Sequence, residues 1–344
     1  MKKLLTILLS LLMLLAMVGC TSNGGSGEEE GEKTHYNFYT IYKVDGEYFL
    51  EEAAGIMMTI QEYADERGFT FDLHYIGCDS DPEKCMTMID TAIADKADAI
   101  FVCPPDQGMS EAIVEKCNEA GVLVVSVDDP LIDGEGKKIA PWFGIDAYNI
   151  GYASGTWMAN YAIENNLVDD PTCGLLYTTM ETVTSCVPRT DGEEAAWADI
   201  IGDKMADRTF YSDSIGTQQT LYDTTSAIYA AHPEITKWLI LTTSEAVIGA
   251  AAALEDAGLD KDACISSLGC SSTYKYWQEG QYLCIKHCSY FSGPKVGQAA
   301  ATAVMDYLLD GKEMPLEYAT PAVDVFPDTW ENELLIVDTS IITK

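Results

Sequence analysis

The chain has 344 residues, a formal net charge of −35 and only 20 lysines and arginines. With no basic cluster to meet phosphate groups or anionic lipid, nucleic acid and direct binding to a charged membrane surface are poor partners. The acid reads as a solvated surface, and about 310 residues of globular sequence is long for one core, so two lobes are expected.

The chain begins with Lys2 and Lys3, followed by an almost wholly apolar run over residues 4–17. That is the pattern of a secretory leader, predicted over residues 1–19. Its end, Met17-Val18-Gly19-Cys20, resembles a bacterial lipobox, which implies diacylglycerol on Cys20. The run is short for a spanning helix, which needs about 20 apolar residues, whereas one diacyl cysteine suffices for stable anchoring. Residues 20–35 then carry Gly-Gly-Ser-Gly and a run of glutamates. Such a stretch buries too little to offset chain entropy and is expected to be a flexible acidic tether.

From Tyr36 on, strand and helix alternate. Residues 37–42 read as a strand. Phe49, Ala53, Ile56, Ile60 and Tyr63 recur at helical spacing until Gly68. Phe69, Phe71, Leu73 and Tyr75 alternate as in a half-buried strand. Pro82-Glu83 opens a helix with Cys85, Ile89 and Ile93 inward. The apolar run 99–103 reads as a strand buried on both faces. A helix over 109–119 and a strand over 122–127 follow. The second half repeats the rhythm, with helices over 150–165, 192–201, 218–231, 246–257 and 293–309. Its strands are expected at 173–177, 209–212, 238–241 and 264–268. Alternation of this kind gives parallel sheets with helices on both faces, so the fold class is α/β with two Rossmann-like lobes.

Ligands of such sheets bind beyond the carboxyl ends of the strands. Those ends offer Lys43 to Phe49, Cys103-Pro104-Pro105-Asp106, Asp128-Asp129, residues 181–189, Thr243-Ser244-Glu245 and residues 269–272. Carboxylates and an arginine make charge-assisted hydrogen bonds to hydroxyls, and an aromatic ring covers the apolar face of a sugar. A neutral polyhydroxy ligand is the chemistry these groups suit. Metal is not: Cys284 and Cys288 of Cys284-x-x-His287-Cys288 would lie roughly 13 Å apart on an extended strand, and no second ligand pair is present. The eleven cysteines are irregularly spaced. Several sit in apolar runs as small hydrophobes, while Cys78 and Cys85 flank a short polar loop where they could pair.

At these residues the chain resembles the type I periplasmic sugar-binding proteins of ABC importers, and within them L-arabinose-binding proteins. The resemblance runs from Tyr36 to Leu334. It is carried by Phe101-Val-Cys-Pro-Pro-Asp106, Val124-Val-Ser-Val-Asp-Asp129, Arg189-Thr-Asp-Gly192 and His232-Pro-Glu-Ile-Thr-Lys-Trp-Leu-Ile240. It implies that Asp128 and Asp129 accept hydrogen bonds from sugar hydroxyls and that Arg189 donates to the ring oxygen and a neighbouring hydroxyl. It places Cys103 beside the sugar and Tyr48-Phe49 where the family carries a stacking ring. Lys43 and Glu47 match the family's first loop once a one-residue gap is allowed. Thr243-Ser244-Glu245, Ser271 and Ile145 stand where the family carries different side chains, so the resemblance does not fix whether the sugar is a pentose or a hexose. Three crossovers are implied, near Ile145, Tyr290 and Ala319. They divide the chain into one lobe of residues 36–145 with 291–318 and another of 146–290 with 319–344.

The resemblance further implies a lipid-anchored, extracytoplasmic monomer that closes on a monosaccharide and hands it to permease subunits, with no cofactor. An enzyme is disfavoured because no Gly-x-Ser-x-Gly elbow, Walker loop or Gly-x-Gly-x-x-Gly follows a strand. A receptor with the same pocket that signals to a membrane partner is the alternative. Asp146 is expected to cap the next helix, and Trp142 to pack in the core or hinge.

Overall fold

The structure is a computed structural model that describes residues 33–181, 186–214 and 216–343. The leader, Cys20 and the tether up to residue 32 lie outside the described residues, as do residues 182–185 of one expected rim.

Two six-stranded sheets carry the fold. The first runs in the order β2 (Thr70–Gly77), β1 (His35–Tyr42), β3 (Ala99–Cys103), β4 (Leu123–Val127), β5 (Trp142–Ile145) and β11 (Glu317–Thr320), all parallel. The second runs β7 (Thr209–Asp213), β6 (Cys173–Thr179), β8 (Lys237–Thr242), β9 (Cys264–Leu268), β10 (Ile285–Tyr290) and β12 (Val323–Val325), parallel except for β12. The α/β expectation holds. The strands that pattern alone left unread are the short β5, β11 and β12, together with β10, where His287, Ser289 and Lys286 interrupt the apolar run.

Side-chain alternation splits each buried strand between two layers. From β3, Phe101 and Cys103 join Phe38, Tyr42 and Ile56 under α1 (Glu47–Arg67). Ile100 and Val102 face the other way, with Ile89 of α2 (Pro82–Ala94) and Ile113 of α3 (Ser110–Ala120). Each such side chain, fully withdrawn from water, stabilises the fold by roughly 1.5–3 kcal/mol. Local signals mark the helix ends. Asp81 accepts the Glu83 and Lys84 N–H groups ahead of Pro82, and α1 stops at Gly68, whose φ of 78° is open to glycine.

The chain passes between sheets after Ile145 into α4 (Ala147–Glu164), after Tyr290 into α9 (Gly293–Asp310), and again between Thr320 and Val323. The tail makes a further passage, with Ile342 packed against the core of the first lobe. Asp146 caps α4 through the Asn149 N–H at 3.0 Å, as expected. The crossover helices meet the first helix of each lobe without side chains between them. On α4, a Cβ at Gly151 would lie 1.9 Å from the Arg189 carbonyl oxygen of α5 (Val187–Ile200). On α9, one at Gly297 would lie 2.1 Å from the Glu52 carbonyl oxygen of α1.

Candidate functional site

β1, β3 and β4 end side by side, so the register that pairs Tyr42 with Cys103 delivers Lys43, Cys103 and the Asp128-Asp129 corner to one place. Asp128 takes φ of 59°, a left-handed conformation that a short polar side chain tolerates better than most. Its N–H donates to the Phe143 carbonyl at 2.9 Å and its carbonyl accepts the Trp142 indole N–H at 2.8 Å. Pinned at both ends, the corner turns both carboxylates onto Lys43, whose Nζ lies 2.6 Å from Asp129 and 3.3 Å from Asp128. Trp142 therefore does more than pack: it fixes the acid pair and also borders the cleft.

Burial opposes the Lys43 charge, but Asp128, the Cys103 sulfur and Asp129 outweigh it and raise its pKa. Asp129 is pushed upward by burial and by Asp128, against the pull of Lys43. Burial pushes the Cys103 thiol well up, so it stands as a neutral thiol 3.8 Å from Asp129. Ligand atoms of Cys103, Asp128 and Asp129 lie within 4.8 Å of one another, a spacing open to a metal, but the Lys43 ammonium occupies that place. His287 is no freer for metal: Ser266 Oγ meets its Nδ1 at 2.7 Å and Asp324 its Nε2 at 2.9 Å. All ten cysteines from Cys78 to Cys288 are buried and outside any disulfide, so Cys78 and Cys85 do not pair.

The cleft is about 890 Å³ and lies between the lobes. Its wall includes Lys43, Tyr48, Phe49, Asp128, Asp129, Ile145 and Arg189 of the expected residues. Tyr48 and Phe49 sit in the first turn of α1 rather than on a free loop. Tyr48 is caged edge-on by Phe49 and Phe291, and each phenylalanine carries a cation: Lys43 lies 5.6 Å from the Phe49 centroid and Arg189 4.8 Å from that of Phe291. Arg189 comes from the second lobe. Pro188 starts its helix earlier than the apolar pattern suggested, which puts the guanidinium at the cleft. Its Nη1 donates to the Thr243 carbonyl at 3.2 Å, while its buried Nε has no hydrogen-bond partner among the described residues.

The other expected residues stand back from the wall. Thr243 is buried and holds Arg189 through its carbonyl. Ser244 Oγ accepts the Ala246 N–H at 3.1 Å as a local cap. Ser271 donates to Glu51 at 3.3 Å, and Glu47 pairs with Lys275 at 3.2 Å, so both join the lobes beside the cleft. Glu245 opens a short turn, and its side chain lies outside what is described. Sequence reasoning missed Phe291, Ser80, Pro82 and Gln107 as wall residues, whereas Pro188 fell within the rim 181–189. An aromatic residue directly after a strand is the signal that could have found Phe291.

A family model described as a periplasmic binding protein domain matches residues 38–313. An "ABC transporter L-arabinose-binding periplasmic protein" of Azospirillum brasilense is 23% identical over 263 residues, 73% of this chain and 76% of that protein. The "L-arabinose-binding periplasmic protein" of Escherichia coli K12 is 26% identical over 194 residues, 55% of this chain and 57% of that one. Among solved structures, an ABC transporter periplasmic solute binding protein of Actinobacillus succinogenes 130z with bound D-allose superposes with a TM-score of 0.69 at 19% identity, covering 86% of this chain and 99% of that one. The binding protein of the arabinose ABC transporter of Shewanella sp. ANA-3, bound to L-arabinofuranose, gives 0.66 at 17%, covering 86% and 94%. The family model spans most of the two-sheet fold, and the protein belongs to the periplasmic binding protein domain family.

Proposed function

We propose that the chain is the sugar-binding component of an ABC importer, a two-lobed clamp that closes on a monosaccharide. The observation that carries this reading is the pairing of Lys43 with Asp128 and Asp129 on one wall, facing Arg189 on the other, with aromatic rings behind both cations. Two carboxylates and two cations lining one cleft suit a neutral ligand with many hydroxyls rather than a strongly charged one. The sugar-binding proteins it resembles support the same reading.

Lys43 and the acid pair belong to the wall of the first lobe, Arg189 to that of the second. A sugar touching both gains contacts only when the lobes are together, and this differential binding drives closure. The lobes are taken as residues 36–145 with 291–318 and 146–290 with 319–344, save that Ala319 and Thr320 complete the first sheet and Ile342 packs on the first lobe's core. The chain supplies binding and no chemistry, and permease subunits read the closed form. Its leader and Cys20 would place it outside the cytoplasmic membrane as a lipid-anchored monomer. Among the described residues no helix is long and apolar enough to cross a membrane.

A thermal-shift screen of residues 36–344 against L-arabinose, D-ribose, D-galactose, D-glucose and D-allose tests this. A ligand at 100 times its Kd adds about 2.7 kcal/mol of stability, an unmistakable rise in melting temperature. One sugar is expected to stabilise the native protein but neither Asp129→Ala nor Arg189→Ala. No shift with any sugar would sink the reading.

A further inference from the structure

Directly behind the acid pair, a carboxyl group lies wholly out of water. Glu52, one turn after Tyr48 on α1, is fully buried, and among the described residues neither of its oxygens meets a hydrogen-bond partner in regular geometry, the Tyr42 hydroxyl being the one side chain close enough to interact. The Tyr42 hydroxyl beside it is equally buried and equally without a regular partner, as is the Tyr48 hydroxyl. A buried polar group left in this state is costly to the fold, and a buried charge more so. Three such groups under one ligand wall call for a role. We propose that Glu52 is a positioning residue of the sugar site, a carboxylic acid whose retained proton keeps Asp128 and Asp129 committed to Lys43 and so to the ligand.

The surroundings of Glu52 define what its proton controls. β1 presents Tyr42 and, just beyond its end, Lys43; β2 presents Tyr75; β3 presents Cys103; the β4 corner presents Asp128 and Asp129. α9 sets Gly293, Pro294 and Gly297 against this turn of α1, and its Val296 and Ala300 join the same apolar cluster. Arg189 lies across Tyr48 in the other lobe. Burial first, and then the charge on Asp128, push the Glu52 pKa well above the ordinary carboxylate value, against the Tyr42 hydroxyl and the Lys43 charge, which pull it down. Ionised, Glu52 would compete for Lys43 and repel Asp128, loosening the corner that holds the ligand. Protonated, it leaves Lys43 to the acid pair, which matches the 2.6 Å contact to Asp129. Glutamine keeps the shape and cannot ionise.

The experiment uses the folded chain from residue 36, labelled with carbon-13 at Asp and Glu carboxyls, with Asp128→Asn and Asp129→Asn to assign signals. Between about pH 7 and about pH 10 the Glu52 signal should begin at the protonated position. As it titrates, the Asp128 and Asp129 signals should move with it in the native protein and not in Glu52→Gln. A Glu52 already ionised at neutral pH, or identical aspartate curves in both proteins, would overturn the proposal. A second readout rests on the sugar reading: affinity for the sugar found in the screen should fall roughly tenfold over that range in the native protein, the size of a one-unit coupling. In Glu52→Gln the affinity, whatever its starting value, should stay nearly flat over that range, which a merely structural glutamate would not produce. If no sugar binds the native protein, the sugar reading fails, and the carboxyl spectra still decide the fate of Glu52.

Discussion

In the first lobe α9 lies against α1, and in the second α4 lies against α5. In both, the crossover helix turns two glycines, four residues apart, onto two backbone carbonyls that are also four apart. Gly293 and Gly297 meet Tyr48 and Glu52; Gly151 and Gly155 meet Arg189 and Glu193. Tyr48 and Arg189 are thus equivalent positions in two copies of one packing scheme, each at a cleft wall, and Glu52 and Glu193 are the equivalent buried acids one turn below. The difference lies underneath. Glu193 receives Ser154 Oγ at 3.3 Å, and Ser154 continues to Ser266 at 2.8 Å, His287 at 2.7 Å and Asp324 at 2.9 Å. Among the described residues Glu52 has no such chain, only the Tyr42 hydroxyl beside it. The second lobe ties its acid into a polar network that crosses its sheet, while the first keeps its acid outside any network beneath Asp128 and Asp129.

If the glycine seams place Tyr48 and Arg189, closing them with a methyl group should do the most damage. Gly151→Ala would set its Cβ 1.9 Å from a backbone oxygen and Gly297→Ala 2.1 Å, where no flexible side chain can give way. Helices must move apart, at about 3 kcal/mol each, which urea midpoints will show. Gly151→Ala should also displace Arg189 and weaken sugar binding well beyond the loss of folded protein. Two alanine variants of native stability would break the comparison, since the seams would then not be tight.

The buried acids give the next effect, and its sign follows from the direction of their shifts. Burial raises both carboxyl pKa values well above those of an unfolded chain. The folded state therefore holds protons that the unfolded chain releases, so the stability these groups contribute is full below the unfolded value of about 4.3 and is lost as pH rises toward the folded value. Glu52→Gln and Glu193→Gln should each melt higher than the native protein at about pH 8, by roughly 2–4 °C, and gain much less at about pH 4. The gain should be larger at Glu52, since Asp128 opposes its charge after burial does, whereas Ser154 and Arg189 both favour the charge of Glu193. Equal gains would mean that the network under Glu193 does little to support it.

Much of this scheme was legible in the chain. The apolar run 99–103 and the helical spacing from Phe49 to Tyr63 gave the layers, because a strand buried on both faces and a helix with one buried face leave different patterns. Asp128 and Asp129 were readable as strand-end groups, and Arg189 as part of the rim over residues 181–189. Less was readable where a residue acts through something other than its side-chain chemistry. Thr243 works by its carbonyl, Trp142 by pinning a carbonyl, and Gly151 by having no side chain, and none of these leaves a compositional signal. Ser271 and Glu47, read as ligand-binding, are off the cleft wall and pair with Glu51 and Lys275, and which partner each meets depends on how the lobes come together, which no local pattern encodes.

That last pair gives the smallest effect and the sharpest test of what belongs to the ligand and what to closure. Glu47 and Glu51 stand one turn apart on α1, and Ser271 and Lys275 stand at the same spacing on the opposite lobe. Both Glu47 and Lys275 are more than half exposed, at 59% and 51%, so water and salt screen them strongly. Exposed pairs of this kind are worth about 0.2–1 kcal/mol. The contact exists only when the lobes are together, so its loss weakens the closed state and, through it, the sugar affinity. Lys275→Ala should lower that affinity by roughly threefold or less, leave the melting temperature of the sugar-free protein almost unchanged, and lose its effect near 1 M salt, where the screening length is about 3 Å. Titration calorimetry at low and high salt reads this directly. A loss above about tenfold that persists at high salt would place Lys275 on the ligand itself, and the two-copy scheme would then need a third wall.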